Sequence, residues 1–514
     1  GNTSITKTQL RGEISGSKLT IGATHTNTGT LSSIAGGISN TVSGNCSFIG
    51  GGISNTVSCT ISTIGGGKSN TISAYYGFIG GGTLNQVLCG CSFIGGGASN
   101  TVSGYYGSIV GGTANSNSGY YSSIVGGSQN TISSGYDSVG FIGGGFCNKI
   151  SSEKSSIVGG CKNLVSGNLS SIVGGTLNTS SAACSFIGGG ENNKICSSAN
   201  TSNIVGGQLN VIAGTTNVNF IGSGNSNYIC ASTNGGNSIV GGCFNTLRPT
   251  GTGCGGSFIG GGRKNTGSAD FTFIGGGKCN LTSAQLSTVV GGILNTASAA
   301  CSFIGGGLRN ISSGNSSIVV GGQLNTASNK FDIIVGGDNN TISNAYCSCN
   351  STIVGGKDNS MSNSYGAFRF IGGGCCNCID GYYSLGVIVG GINNTLAGSS
   401  EGGFIGGGTS NSVSYNGNIV GGKSNFERGQ HGFIGAGKNN SISGYNHFEG
   451  VIVGGCCNTI SGAYCKQSII GGGCQNLIGN AHNAVIVGGT LNTSSASCSF
   501  IGGGACNIVG GLGS

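Results

Sequence analysis

Residues 91–104 read CSFIGGGASNTVSG. Ile94 precedes three glycines, and Asn100 follows the last of them by three positions. With this asparagine set as position 0, the phrase recurs at Asn40, Asn55, Asn70, Asn85, Asn115 and Asn130, every 15 residues. It continues through Asn148, Asn163, Asn178 and Asn193 to Asn492 and Asn507, in 30 copies spaced 14 to 20 residues apart. Extra residues fall between phrases and never inside one, so they read as loops on one edge of a repeat architecture.

The columns of this repeat are sharp. Position −6 is Ile in 28 copies and Val in the other two, Val289 and Val319. Position −3 is Gly in all 30, and position −4 is Gly except at Ser223 and Ala436. Position +2 is mostly aliphatic, as in Val102, Ile150 and Ile460. Alternation of large and small residues is the period-2 signature of strands. Fifteen residues hold two short strands and two turns, too few for a helical hairpin. Stacking such coils predicts an all-β parallel β-solenoid of about 30 coils with no helices. At ~4.8 Å per coil it would form a rod ~140 Å long.

Each column then has an expected role. Ile at −6 and the aliphatic at +2 point inward. Gly at −4 and −3 is expected where backbones crowd or φ is positive. Asn at 0 is expected at a left-handed turn position, and stacked copies from Asn40 to Asn130 form a structural ladder. Residues 34–514 are the repeat domain. Residues 1–33 carry Lys7, Arg11, Glu13 and Lys18 and read as a separate strand segment, a cap or an exchanged strand.

The phrase has two spellings. Phe occupies −7 in 13 copies, always with Gly at −5, whereas Val occupies −5 in 14 copies, never with Phe at −7. The two positions share a strand face, so bulk is traded between them. If −6 faces the core, this face points outward. Phe48, Phe78, Phe93, Phe141, Phe186, Phe258, Phe273, Phe303 and Phe500 then mark an apolar seam. Soluble monomers rarely expose such a patch, so the expected partner is another copy of the chain. An uncapped parallel edge adds an expectation of end-to-end stacking into a filament.

Composition narrows the function classes. Gly is 112 of 514 residues, Pro is 1 and charged residues are 6%. Collagen needs Gly at every third position with abundant proline, and disorder needs charge and few aliphatics; neither fits. No apolar run reaches the ~18 residues of a membrane helix. The net charge of +8 is spread without a Lys/Arg cluster, so neither nucleic acid nor membrane insertion is expected. The chain opens without Met or a signal peptide and reads as a mature or processed segment.

The 24 cysteines favour an oxidising, extracellular or particle-surface setting. Cys456 and Cys474 share one column of adjacent coils, ~4.8 Å apart at the backbone, and are disulfide candidates; Cys147 with Cys161 is close to such a pair. Cys375, Cys376 and Cys378, with Cys347 and Cys349, form the most metal-like grouping, but no metal or other cofactor is expected. GNIVGGKS at 417–424 fits the P-loop pattern. Its residues are ordinary repeat columns, however, and no helix signal follows. The lone GxGxxG of Gly251, Gly253 and Gly256 means as little. His25, His431, His447 and His482 are scattered, so no catalytic residues are assigned. Thr-x-Ser after the asparagine, as at Thr41 and Ser43, suggests a minor alternative, a flat hydroxyl array that binds ice.

The consensus Ser-x-Ile-Val-Gly-Gly-x-x-Asn-x-Ile-Ser-Gly resembles the repeats of YadA-like trimeric autotransporter heads and the Gly-Gly-Gly-x-x-Asn repeats of β-solenoid fibre proteins. The resemblance spans residues ~33–514. It implies a left-handed β-roll, three chains about one axis, and a role as a surface adhesin or fibre. The resulting expectation is a non-catalytic, self-associating extracellular fibre subunit. The alternative is an adhesin of a bacterial, phage or viral surface that recognises a receptor or glycan. In that case the insertions at 247–257, 343–351 and 380–386 would carry recognition.

Overall fold

Alternation of Ile with small residues builds two short strands per turn of chain. In the computed structural model one strand comes from positions −7 and −6 and the other from +1 and +2. Phe93–Ile94 pairs in parallel with Phe78–Ile79 and Ser108–Ile109. Thr101–Val102 pairs with Gln86–Val87 and Ser116–Asn117. A third ladder, absent from the sequence expectation, runs through position −2 as single bridges such as Thr83↔Ala98↔Thr113. The chain is an all-β parallel β-solenoid of about 31 turns, ~15 residues apart, without helices among the described residues. Those are residues 18–511, apart from 134, 136–138, 233–234, 251–254, 344–349, 363–367, 382–384, 399–401, 445–448 and 463–464.

Two compact units divide the chain: Gly1–Leu247 with Thr252–Gly255, and Arg248–Gly251 with Gly256–Ser514. Inside each, the −6 and +2 columns form the apolar core. Ile94 and Val102 are fully buried in the first unit, and Ile304 and Ile342 in the second. Burying one such side chain stabilises by roughly 1.5–3 kcal/mol.

The solenoid begins earlier than the boundary expected at residue 33. Lys18–Thr20 pairs with Ser32–Ile34. His25 stands 15 residues before Asn40, and its Nδ1 accepts the Asn40 amide at 3.0 Å. Residues 18–33 are therefore one more turn, with His in the asparagine column. Residues 1–17 lie outside the described residues.

Backbone donors have a direction. Strand amides reach the following coil, as from Phe93 to Gly107 O and from Thr101 to Asn115 O. Two residues per coil reach back instead. Ser99 donates to Thr83 O, and Cys91 donates to Tyr75 O. Both have left-handed φ, +58° for Ser99 and +55° for Cys91, and so do their column equivalents such as Leu84 and Leu177. The left-handed residue of the asparagine turn is thus at −1, and the expectation that Asn itself takes this conformation is corrected. Left-handed φ costs a side-chain-bearing residue roughly 1–2 kcal/mol. Leu177→Gly is therefore expected to stabilise by about 0.5–1 kcal/mol, after the entropy glycine loses on folding. A lower denaturation midpoint for this variant would contradict that.

The paired glycines do different jobs. At −3 glycine is obligatory: Gly97 has φ +94°, and a Cβ there would press on Gly112 O and come within 2.6 Å of Asn100 Nδ2. At −4 a Cβ on Gly96, Gly111 or Gly126 would meet nothing within 4 Å. Crowding within the chain therefore does not explain the −4 column, contrary to the sequence expectation. Ser223 and Ala436 occupy it without conflict.

Candidate assembly surface and internal polar ladders

The asparagine column is built of side-chain to backbone bonds. Asn100 is fully buried. Its Nδ2 donates to Gly96 O at 3.1 Å within its own turn and to Gly112 O of the next coil at 2.9 Å. Its Oδ1 accepts the Asn115 amide at 3.0 Å. Asn40, Asn55, Asn70, Asn85, Asn115 and Asn130 repeat the arrangement. Each side chain ties the two-glycine turn to the next coil. With donors and acceptor engaged inside, the column presents nothing to a ligand.

A second internal ladder runs through position −8 and was not read from the sequence. Ser62 Oγ donates to Ala74 O at 2.8 Å and accepts the Gly77 amide at 3.1 Å. Ser92 Oγ donates to Gly104 O at 2.9 Å. The small residue ahead of Phe or Ser in each phrase was the available signal. It resembles ordinary turn composition and so carries little weight by itself.

Three charged side chains interrupt these core columns in the second unit. Asp332, Ser351 and Arg369 hold position −8 in successive coils and are buried. Asp332 accepts the Asn329 and Ser351 amides at 3.0 and 3.2 Å. Burial pushes its carboxyl up to about 6, against the pull of those amides and of Arg369. Arg369 Nη1 donates to Ser362 O at 3.3 Å, and burial pushes the guanidinium down. Glu427 stands at +2 in register between Val413 and Ile442, where other coils carry an aliphatic. Neither of its carboxyl oxygens makes a hydrogen bond of normal geometry. Burial pushes this carboxyl up to about 8, with only the Gly429 amide opposing. Gly417 and Gly432 leave the room it fills, since a Cβ on either would collide with its carboxyl group. This accounts for Gly417, the first residue of the P-loop match. Lys423 of that match sits in the −2 bridge ladder between Thr409 and Lys438.

Positions −7 and −5 face outward. Phe93 is 39% exposed and Val110 53%, and Phe48, Phe78, Phe141, Phe186, Phe273 and Phe500 are exposed likewise. Phe258 and Phe303 in the same column are half-buried. Where consecutive coils carry Phe, the rings stack: Phe78 on Phe93 at 5.4 Å and Phe258 on Phe273 at 5.3 Å between centroids. The Phe93 ring folds over Gly95, its Cε1 3.4 Å from where a Cβ would stand. The ring thus covers the ground that Val110 covers one coil on. The two spellings produce an apolar strip within each unit, interrupted in the first at Ser33/Ala35 and Thr63/Gly65. Beside it runs the −4 glycine column with open space above.

The described cysteines are free thiols. Cys456 faces Cys474 in register. Cys161 faces Phe146 and Thr176, not Cys147. Cys147 Sγ instead donates to Gln129 Oε1 at 3.0 Å. Cys347, Cys349, Gly251 and Gly253 lie outside the described residues, as do parts of the insertions at 247–257, 343–351 and 380–386. No helix among the described residues is long and apolar enough to cross a membrane. Neither a protein-family model nor a curated protein matches this chain.

Proposed function

We propose that this chain is a non-catalytic structural subunit of an extracellular or particle-surface fibre, which associates with copies of itself through the −7/−5 strip. The observation that carries this reading is the strip itself. Exposed Phe and Val recur coil after coil, beside a glycine column that no contact within the chain requires. A flat glycine track lets a second backbone approach closely, and an apolar strip left in water favours burial against a like surface. The likeness to YadA-like heads adds a homotrimer as the expected assembly. The internal ladders supply the rigidity that a fibre subunit needs.

Sedimentation velocity tests this reading. The wild-type chain is expected to sediment as an oligomer, and Phe78→Ser with Phe93→Ser and Val110→Ser is expected to shift it toward monomer with the fold intact by circular dichroism. A wild-type monomer at high concentration would sink the proposal.

An adhesin is the second reading. Tyr105, Tyr106 and Tyr121 are solvent-accessible on one corner, with Tyr106 and Tyr121 stacked at 4.7 Å. Rigid, amphipathic aromatics of this kind suit recognition of a receptor or glycan.

A further inference from the structure

Ten cysteines occupy positions −2 or −1, and two neighbouring pairs among them, Cys375–Cys376 and Cys456–Cys457, put two thiols on one edge of one coil. The sulfurs converge in both, at 2.8 Å for Cys375 and Cys376 and at 3.3 Å for Cys456 and Cys457. Each pair has a third donor in an adjacent coil. Asp358 brings its carboxylate within 4.8 Å of both Cys375 and Cys376 sulfurs. Cys474 stands in register with Cys456, but the three sulfurs are not all within 4.8 Å of one another, so this second site closes only when the side chains turn inward. We propose that each of these pairs is a binding site for one soft divalent cation such as Zn2+ or Cd2+, held by Cys375, Cys376 and Asp358 in one site and by Cys456, Cys457 and Cys474 in the other.

The geometry favours a cation over the pair's own disulfide. Sequence neighbours have Cα atoms ~3.8 Å apart, below the ~4.4 Å lower limit usual for disulfide-bonded cysteines. A zinc ion with ~2.3 Å bonds to sulfur holds two thiolates ~3.8 Å apart. A side-chain shift of about an ångström or less reaches that spacing from the 2.8 and 3.3 Å separations. The left-handed conformation at −1, φ +60° for Cys376 and +56° for Cys457, turns the second thiol toward the first.

Neighbouring groups suit the charge. Asn339 Nδ2 donates to Asp358 Oδ1 at 2.8 Å and orients that carboxylate. Lys357 lies in register beside Cys375, and Lys438 beside Cys456. Three anionic ligands on a divalent ion leave one net negative charge, which a lysine offsets. A cation taken by both sulfurs displaces both protons at once.

The test is a Cd2+ titration of the full chain, kept reduced by a phosphine. It is read by the thiolate-to-cadmium charge-transfer absorption in competition with a chromophoric chelator. Two tightly held ions per chain are expected. C375S/C376S should hold one, C456S/C457S one, and the fourfold variant none. D358N should weaken the first site by about tenfold or more and leave the second unchanged. A C91S/C184S control, which removes isolated thiols of the −9 corner, should still hold two. The proposal is overturned if the fourfold variant keeps the wild-type stoichiometry, or if wild type holds no ion against the chelator. It is also overturned if peptide mapping of the reduced chain finds Cys375, Cys376, Cys456 or Cys457 in a disulfide.

Discussion

Gly97→Ala is expected to destabilise its unit by several kcal/mol, while Gly96→Ala, one residue earlier, costs less than about 0.5 kcal/mol. The added methyl at 97 meets the Gly112 carbonyl oxygen and Asn100 Nδ2, at a φ of +94° that an L side chain rarely adopts. Relief requires moving the next coil, which breaks the Asn100 bond to Gly112 O, or turning the Asn100 side chain, which breaks its bond to Gly96 O as well. Each buried group left unpaired costs roughly 1–3 kcal/mol. The methyl at 96 meets open space. Denaturant titration with hydrogen exchange of the Gly112 coil distinguishes the two. Equal destabilisation would contradict the assignment of the −3 glycine. The same Gly96→Ala variant probes assembly. If the −4 column exists for a neighbouring copy, a block of such substitutions weakens self-association and spares the fold.

The second large effect belongs to Glu427. Its folded carboxyl holds a proton up to about pH 8, against an ordinary value of 4.5. Below pH 4.5 both folded and unfolded states are protonated, and the burial carries no ionisation penalty. Between there and pH 8 the unfolded chain releases a proton that the folded chain keeps. Stability of the second unit therefore falls as pH rises, and levels off once the folded group also ionises. Each pH unit across that window removes about 1.4 kcal/mol, so the full loss is on the order of 5 kcal/mol. Asp332 contributes in the same direction over a narrower window, from its ordinary 3.8 to about 6. Glu427→Ile restores the aliphatic of its column. It is expected to raise stability at pH 8 by several kcal/mol and to remove most of the pH slope above pH 6. A wild-type unit whose melting temperature is flat between pH 5 and 8 would refute the buried, protonated state.

The repeat and its core columns were legible because both rest on spacing. Thirty asparagines in register with Ile or Val at −6 leave little choice of fold, and the outward Phe and Val follow from strand alternation. What escaped was conformational. Sequence reveals positive φ mainly through glycine, and the left-handed −1 column holds Ser99, Leu177, Cys147 and Lys162, which give no such sign. The −4 glycines misled for the converse reason, since glycine suggests crowding where the structure has open space. His25 hid one turn by replacing the residue that marks every other. Glu427 was invisible as a core residue because a lone carboxylate in a polar-looking stretch, FERGQ at 426–430, reads as surface. The thiol pairs could be counted from sequence. Their convergence depends on the turn geometry at −1 and could not.

The direction of the backbone donors has a bearing on how the chain is made. Almost every bond that closes a coil joins residues about 15 apart, as from Phe93 to Gly107 or from Asn100 to Asn115. Among the described residues no coil waits for a distant segment, so the loop-closure cost stays small from coil to coil. During synthesis at roughly 5–20 residues per second, a new coil leaves the ribosome about every one to three seconds. It finds a finished edge ready to template it. Each unit is thus assembled as a succession of brief, local docking events, each no harder than the last.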